Sequence, residues 1–259
     1  MIKLTKQELD KIKPINNMVL LQPLEDRSQY ELTKEVKLQL ETEFTEDAFR
    51  YIPVINKVIA VPDNIKFGQG FSEWETTMEL SVGDTVVVNQ LPLQLAQNDK
   101  QFILCEGVRY FWIKYSDIYC KSDVTHSDIP LKMIYDKDWN LLSSEHEKTI
   151  LTPINGYVIC EPVIDEIKYI EQVVKKESKQ FATVKFIGSM NTNHLERWQP
   201  ASESFYTPSD MEVEVGDQIC FKKYRNRRLD NGLAKVFGNL VPIMRKDILY
   251  VKRGEQIYG

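Results

Sequence analysis

Along the chain the apolar residues fall in short runs separated by polar stretches. The clearest are MVLL (18–21), VINKVIAVP (54–62), TVVVN (85–89), YVIC (157–160) and QICF (218–221). Runs of this length, β-branched or aliphatic and bounded by turn residues, predict short strands buried in a small β structure. V-G-D stands at 82–84 and again at 215–217. Glycine there can take the positive φ of a tight turn and aspartate can bond nearby amides, so each triplet launches a strand. Asn231-Gly232 in RRLDNGLAKVF is a hairpin signal. Thr5 and Glu8 have the spacing of a capping box before LDKI and predict a short N-terminal helix. One segment alternates strictly: EVKLQLETEF (35–44) puts Val36, Leu38, Leu40, Thr42 and Phe44 on one face, the signature of a half-buried strand.

The pattern occurs twice. PINNMVLLQP (14–23) is echoed by PINGYVICEP (153–162), and the same landmarks then follow in order. VINKVIAVP, ELSVGDTVVVN (79–89) and YFWIKYSDIYC (110–120) are matched by ATVKFIGS (182–189), VEVGDQICFKK (213–223) and LVPIMRKDILYVKR (240–253). The separation drifts only slightly, from 139 residues at Pro14 and Pro153 to 133 at Gly83 and Gly216 and 130 at Asp117 and Asp247. Repeats longer than about 50 residues are tandem domains rather than solenoid units, and 259 residues suit two domains of about 100 to 130. The expected organisation is all-β. Residues 1–13 form the helix, 14–121 a first small β-barrel, 122–151 a linker, 152–253 a second barrel and 254–259 a tail. Within the linker, IPLKMIYDKDWNLL (129–142) reads as strand, turn, strand.

Composition narrows the function. A net charge of −5 disfavours a nucleic-acid surface unless basic residues cluster. One cluster exists, Lys222, Lys223, Arg225, Arg227 and Arg228 beside the Asn-Gly turn, and it reads as a solvated hairpin rather than a phosphate site. Cys105, Cys120, Cys160 and Cys220 are far apart in apolar or alternating segments, which predicts buried thiols rather than zinc ligands. Asp136, Asp138, Asn140 and Glu147 follow EF-hand spacing, but Leu141 stands where that loop needs glycine. No metal or cofactor is expected. His126, His146 and His194 lie in polar surroundings, and no nucleophile elbow, phosphate loop or dinucleotide fingerprint occurs. The chain does not read as an enzyme. MIKLTKQELDKIK lacks the apolar stretch of a secretory signal and no run is long enough to span a bilayer. The expectation is a cytoplasmic protein with no membrane partner, the alternative a component of a virion.

The order of these motifs resembles that of the GroES-like co-chaperonins. In the first copy the matching residues are Pro14 to Pro23, Val58 to Val61, Val82-Gly83-Asp84 and Ser116-Asp117-Ile118. In the second they are Pro153 to Pro162, Val184 to Gly188, Val215-Gly216-Asp217 and Lys246-Asp247-Ile248-Leu249. The resemblance covers about 200 residues and implies a tandem, divergent member: two irregular β-barrels in one chain, assembling into a ring that caps a chaperonin during protein folding. Tandem and phage-encoded versions belong to that family. The medium-chain alcohol dehydrogenases also contain such a domain, but the chain lacks their nucleotide-binding half.

The resemblance further implies that the loop between the first two strands contacts the chaperonin. In the first copy this interval runs from about 25 to 51, longer than connecting loops usually are. Val36, Leu38, Leu40 and Phe44 are the candidate binding residues there. The shorter second interval, DEIKYIEQVVKKESKQ, offers Ile167, Tyr169, Ile170 and Val173. Two readings stay open for these residues, a docking segment that orders in a partner's groove or a strand paired within the chain or with a neighbouring subunit. The function expected is that of a co-chaperonin-like ring protein with a GroEL-like chaperonin as partner. The alternative is a structural or adaptor ring protein, such as a phage virion component, using the same barrels for subunit contacts. The longer loops bearing Trp74, Trp198, Phe205 and Tyr206 would pack on their own barrel or line such an interface.

Overall fold

A computed structural model describes residues 2–24, 29–33, 36–39, 55–69, 72–99, 101–123, 133–135, 141–144, 150–168, 173–189, 213–222, 237 and 240–258. These residues are mostly strand, as the apolar runs predict, and fold into two larger sheets and three two-stranded ones. Among them no helix is long and apolar enough to cross a membrane.

The first sheet contains β1 (Ile2–Lys3), β2 (Met18–Pro23), β5 (Ile55–Ala60), β8 (Thr85–Val88), β9 (Phe102–Cys105), β10 (Val108–Lys114), β11 (Ile118–Ser122) and β14 (Leu151–Pro153), in the order β1-β9-β10-β2-β5-β8-β11-β14. The second contains β15 (Tyr157–Lys168), β16 (Val173–Ile187), β17 (Gln218–Phe221), β18 (Val241–Met244), β19 (Ile248–Arg253) and β20 (Gln256–Tyr258), ordered β18-β15-β16-β17-β19-β20. Three hairpins stand apart: β3 (Gln29–Thr33) with β4 (Val36–Gln39), β6 (Asn64–Gln69) with β7 (Ser72–Thr77), and β12 (Met133–Tyr135) with β13 (Leu141–Ser144). The last pairs the two strands expected between the copies.

The strand order β10-β2-β5-β8-β11 recurs as β18-β15-β16-β17-β19, and it recurs in register. Leu20 faces Ala60 and Leu21 faces Val58, with a bulge between; Ile159 faces Phe186 and Cys160 faces Val184, with a bulge between. Trp112 opposite Leu20 becomes Pro242 opposite Ile159. Ile118 and Cys120 pair with Val88 and Val87 around a bulged Tyr119, as Ile248 and Tyr250 pair with Phe221 and Cys220 around Leu249. The V-G-D turns match too. Gly83 and Gly216 have φ of +98° and +97°, and the aspartates accept from Ser81 N–H at 2.9 Å and Glu214 N–H at 2.8 Å. The turn reading of that triplet is borne out atom by atom.

Period-two alternation explains why the strands read as continuous apolar runs. On β2, Val19 and Leu21 face one core and Leu20 faces another; with both sides covered, the run 18–21 is apolar at every position. The first copy's core gathers Val58, Val86, Val88, Phe111, Ile113 and Ile118 around those two. Val158, Cys160, Val184, Ile219, Phe221 and Ile243 form the second.

Three features depart from the sequence reading. Neither sheet closes on itself among the described residues; the first is lengthened instead by β9 and β1 beyond β10 and by β14 beyond β11. Residues read as a tail contribute β20. And 90–98 form a helix, α2 (Gln90–Asn98), whose start is fixed by Asn89 Oδ1 accepting from Leu91 N–H at 3.0 Å. Pro92 is tolerated there because the first turn needs no partner for its missing N–H. The predicted N-terminal helix is present as α1 (Lys6–Leu9), with both halves of the Thr5–Glu8 capping box made.

Candidate functional site

The residues proposed for docking divide between ordered hairpins and segments outside the described residues. Val36 and Leu38 lie on β4, opposite Thr33 and Tyr30, so this stretch pairs in a hairpin of its own and does not extend the main sheet. Ile167 pairs with Val174, and Val173 with Lys168. From Ile164 onward β15 is paired with β16 alone, making a two-stranded ribbon beyond the sheet, with Ile164 exposed. Leu40, Phe44, Tyr169 and Ile170 lie outside the described residues. So do the three histidines, Trp198, Phe205, Tyr206, the Asn231-Gly232 turn, Lys223, Arg225, Arg227, Arg228 and the EF-hand-spaced residues. Of the basic cluster, Lys222 is exposed, with its ammonium 3.4 Å from Asp247. The four cysteines are buried and free, and burial pushes the Cys120 and Cys160 thiols up, which makes them inert at neutral pH.

A network of polar side chains, from the buried Asn155 to the half-buried Glu79 and the exposed Ser189, lies elsewhere, at the seam between the copies. β14, which opens the second copy, pairs antiparallel with β11 of the first: Cys120 faces Pro153, Lys121 faces Thr152 and Ser122 faces Leu151. Ile154 N–H continues the contact by donating to Tyr119 C=O at 3.1 Å, and its side chain, 2% exposed, enters the first copy's core. Over the seam, Val87, Tyr119 and Cys120 pack on Tyr157, Ile159 and Phe186. The Tyr119 and Tyr157 rings meet edge-on at 5.2 Å. Gly188 comes so close that a Cβ would lie 1.7 Å from the Pro153 carbonyl oxygen; a side chain there would part the seam.

Glu79 lies at the centre of the polar groups. Its carboxylate accepts from the Tyr115 and Ser189 hydroxyls and, at 2.9 Å, from the Asn155 backbone N–H. Asn155 can offer that amide because it sits at φ +59°, a conformation asparagine tolerates. Its Nδ2 donates to Tyr115 C=O at 3.4 Å, and Tyr157 Oη donates to Ser116 C=O at 3.2 Å. Burial, with Asp117 and Asp247 nearby, pushes the Tyr157 phenol well up, so it stays a donor at any physiological pH. This constellation locks two surfaces together, while the buried Asn155 Oδ1 finds no hydrogen-bond partner among the described residues.

The same surfaces recur at the chain's two ends, differently covered. In the second copy Leu151, Ile159, Phe186 and Leu240 face the first copy. The register places Ile12, Leu20, Ala60 and Tyr110 at those positions in the first copy, and there they pack against Leu9 of α1 and Ile103 and Cys105 of β9. α1 and β9 therefore cover on the first copy the face that the first copy covers on the second. At the opposite end β20 lies on β19 as β14 lies on β11. Val251 faces Tyr258 and Lys252 faces Ile257, where the first copy has Lys121 facing Thr152 and Ser122 facing Leu151. Apolar residues whose counterparts the seam buries stay open here: Ile15, the counterpart of Ile154, is 71% exposed, and Leu249, the counterpart of the bulged Tyr119, is 51% exposed.

No protein-family model and no curated protein matches this chain.

Proposed function

We propose that the protein is a co-chaperonin-like assembly factor. Two tandem GroES-like β domains in one chain join head to tail with further chains into a ring, which caps a GroEL-like chaperonin and does no chemistry of its own. The observation that supports this reading is the seam. It is heterologous, one end of a copy meeting the other end of the next, and a heterologous contact repeated between chains generates rings or open filaments. The segments after Pro23 and Pro162 are the docking elements in this reading, each weak singly and strong when multiplied around a ring. A competing reading, a structural or adaptor ring such as a virion component, draws on the pairing of Val36, Leu38, Ile167 and Val173 into hairpins, since an ordered hairpin suits a fixed subunit contact.

Capture of the tagged protein on a purified chaperonin in the presence of nucleotide, followed by limited proteolysis, tests the choice. Co-chaperonin action requires retention on the chaperonin and new protection of 25–51 and 163–178. Equal cleavage with and without chaperonin, and no retention, would overturn it in favour of the structural ring.

A further inference from the structure

We propose that β20 is an exchangeable cover on a self-docking surface: the edge of β19 with its bulged Leu249 accepts residues 12–15 of a second copy of this chain once β20 leaves. The inference rests on the head-to-tail reading above and adds how assembly is held in check. It follows from three features.

The seam is itself a worked instance of the contact. On β11 the incoming strand is 151–153, followed by Ile154 in the core and Tyr119 against Tyr157. The register puts Ile12–Pro14 at 151–153, Ile15 at Ile154 and Leu249 at Tyr119, and in the free chain 12–14 belong to no strand. Substituting 12–14 for β20 conserves the ladder, because strand replaces strand on the same edge. What changes is burial, since Ile15 and Leu249 are open now and their counterparts at the seam are 2% and 6% exposed.

β20 is also lightly held. Its three residues are all exposed, and beyond the ladder it is held by contacts such as the Arg253 guanidinium 5.7 Å over the Tyr258 ring and by the turn at Gly254, φ +61°. By contrast β14 buries Leu151 and Pro153. What keeps β20 in place is tethering: a strand joined by a tight turn has an effective concentration on the order of millimolar, above that of free chains in dilute solution. At the other end α1, through its one buried side chain Leu9, and β9, through Ile103 and Cys105, cover the face that would meet the incoming tail, so α1 must lift and β9 must shift in the same step.

The test compares the full chain with a chain ending at Arg253, by sedimentation velocity over a concentration series. Removing β20 is expected to lower the concentration at which the chain associates by about tenfold or more, and Leu9→Ala in the full chain should act in the same direction. In the shortened chain, Ile15→Asp blocks the head and Leu249→Asp blocks the tail. Each variant alone should stay monomeric and their equimolar mixture should form a dimer and nothing larger. Association of either variant alone to the extent of the parent would overturn the proposal, as would a shortened chain no more associated than the full one. Should the shortened chain lose its cooperative melt, Ile257→Pro in the full chain supplies the same comparison, and wild-type behaviour of that variant counts against the proposal. The two readings separate cleanly. Head-to-tail assembly without chaperonin capture keeps β20 as the cover and removes the co-chaperonin; chaperonin capture with assembly indifferent to 254–259 does the reverse.

Discussion

Ile15 and Ile154 occupy the same place in the same turn, three residues before the first strand of each copy, yet one is open to water and the other is sealed in a core. The turns are alike: Asn16 and Asn155 have φ of +56° and +59°, and Met18 and Tyr157 N–H both donate to the isoleucine carbonyl at 3.0 Å. Local structure therefore does not set burial. What differs is what precedes each turn: a short helix folded back on its own sheet in one copy, an entire preceding copy in the other. A single strand order serves both because its outer face accepts either cover.

The sharpest way to break this comparison is to substitute both isoleucines. Ile154→Ala should lower stability by about 3 kcal/mol, as core truncations do, whereas Ile15→Ala should change it by less than about 0.5 kcal/mol, as exposed substitutions do. Chemical denaturation measures both, and equal losses would mean that the seam is not formed in solution. A smaller effect of opposite sign is expected at Asn56, which is fully buried on β5 with neither amide atom hydrogen-bonded among the described residues. The second copy has Ala182 at that position, and Asn56→Ala should stabilise the protein by about 1 kcal/mol by removing an unsatisfied polar group, read as a rise in Tm.

The smallest effect concerns the V-G-D turns. Asp217 accepts from Arg253 Nε and Nη2, both at 2.8 Å, and that pairing with the Glu214 amide holds its carboxyl below the ordinary range. Its contribution is therefore complete above the unfolded pKa of about 3.9 and is lost as pH falls through the lower folded value, where the unfolded chain binds the extra proton. Asp84 in the first copy meets a more distant Lys121, at 3.7 Å. Asp217→Asn should flatten the fall of stability below pH ~4; an unchanged acid limb would show that the arginine pair contributes nothing.

Much of this was legible from residue pattern, and where legibility failed the reason is physical. The echo of PINNMVLLQP in PINGYVICEP located both first strands because a strand buried on two faces must be apolar throughout, and the V-G-D triplets announced turns through glycine's access to positive φ. α2 went unread because Leu91, Leu93 and Leu95 mimic strand alternation; among its described side chains only Leu93 and Ala96, three apart, are buried, and the capping Asn89 looks like a strand terminus. The seam was harder still. Glu79, Tyr115 and Asn155 lie far apart in sequence, and the signal that could have flagged them is a failure of the repeat, Tyr115 standing where the second copy has Arg245. Ile15 and Ile154 carry no such signal, since an exposed and a buried isoleucine are written the same way.

One consequence of β14 concerns how the molecule comes apart. By sequence these three residues open the second copy; by hydrogen bonding they finish the first. Neither copy can melt without stripping an edge or a core residue from the other, so the halves form one cooperative unit. The amide protons along that edge should then exchange with deuterium only at the pace of global opening, as slowly as those of the central strands.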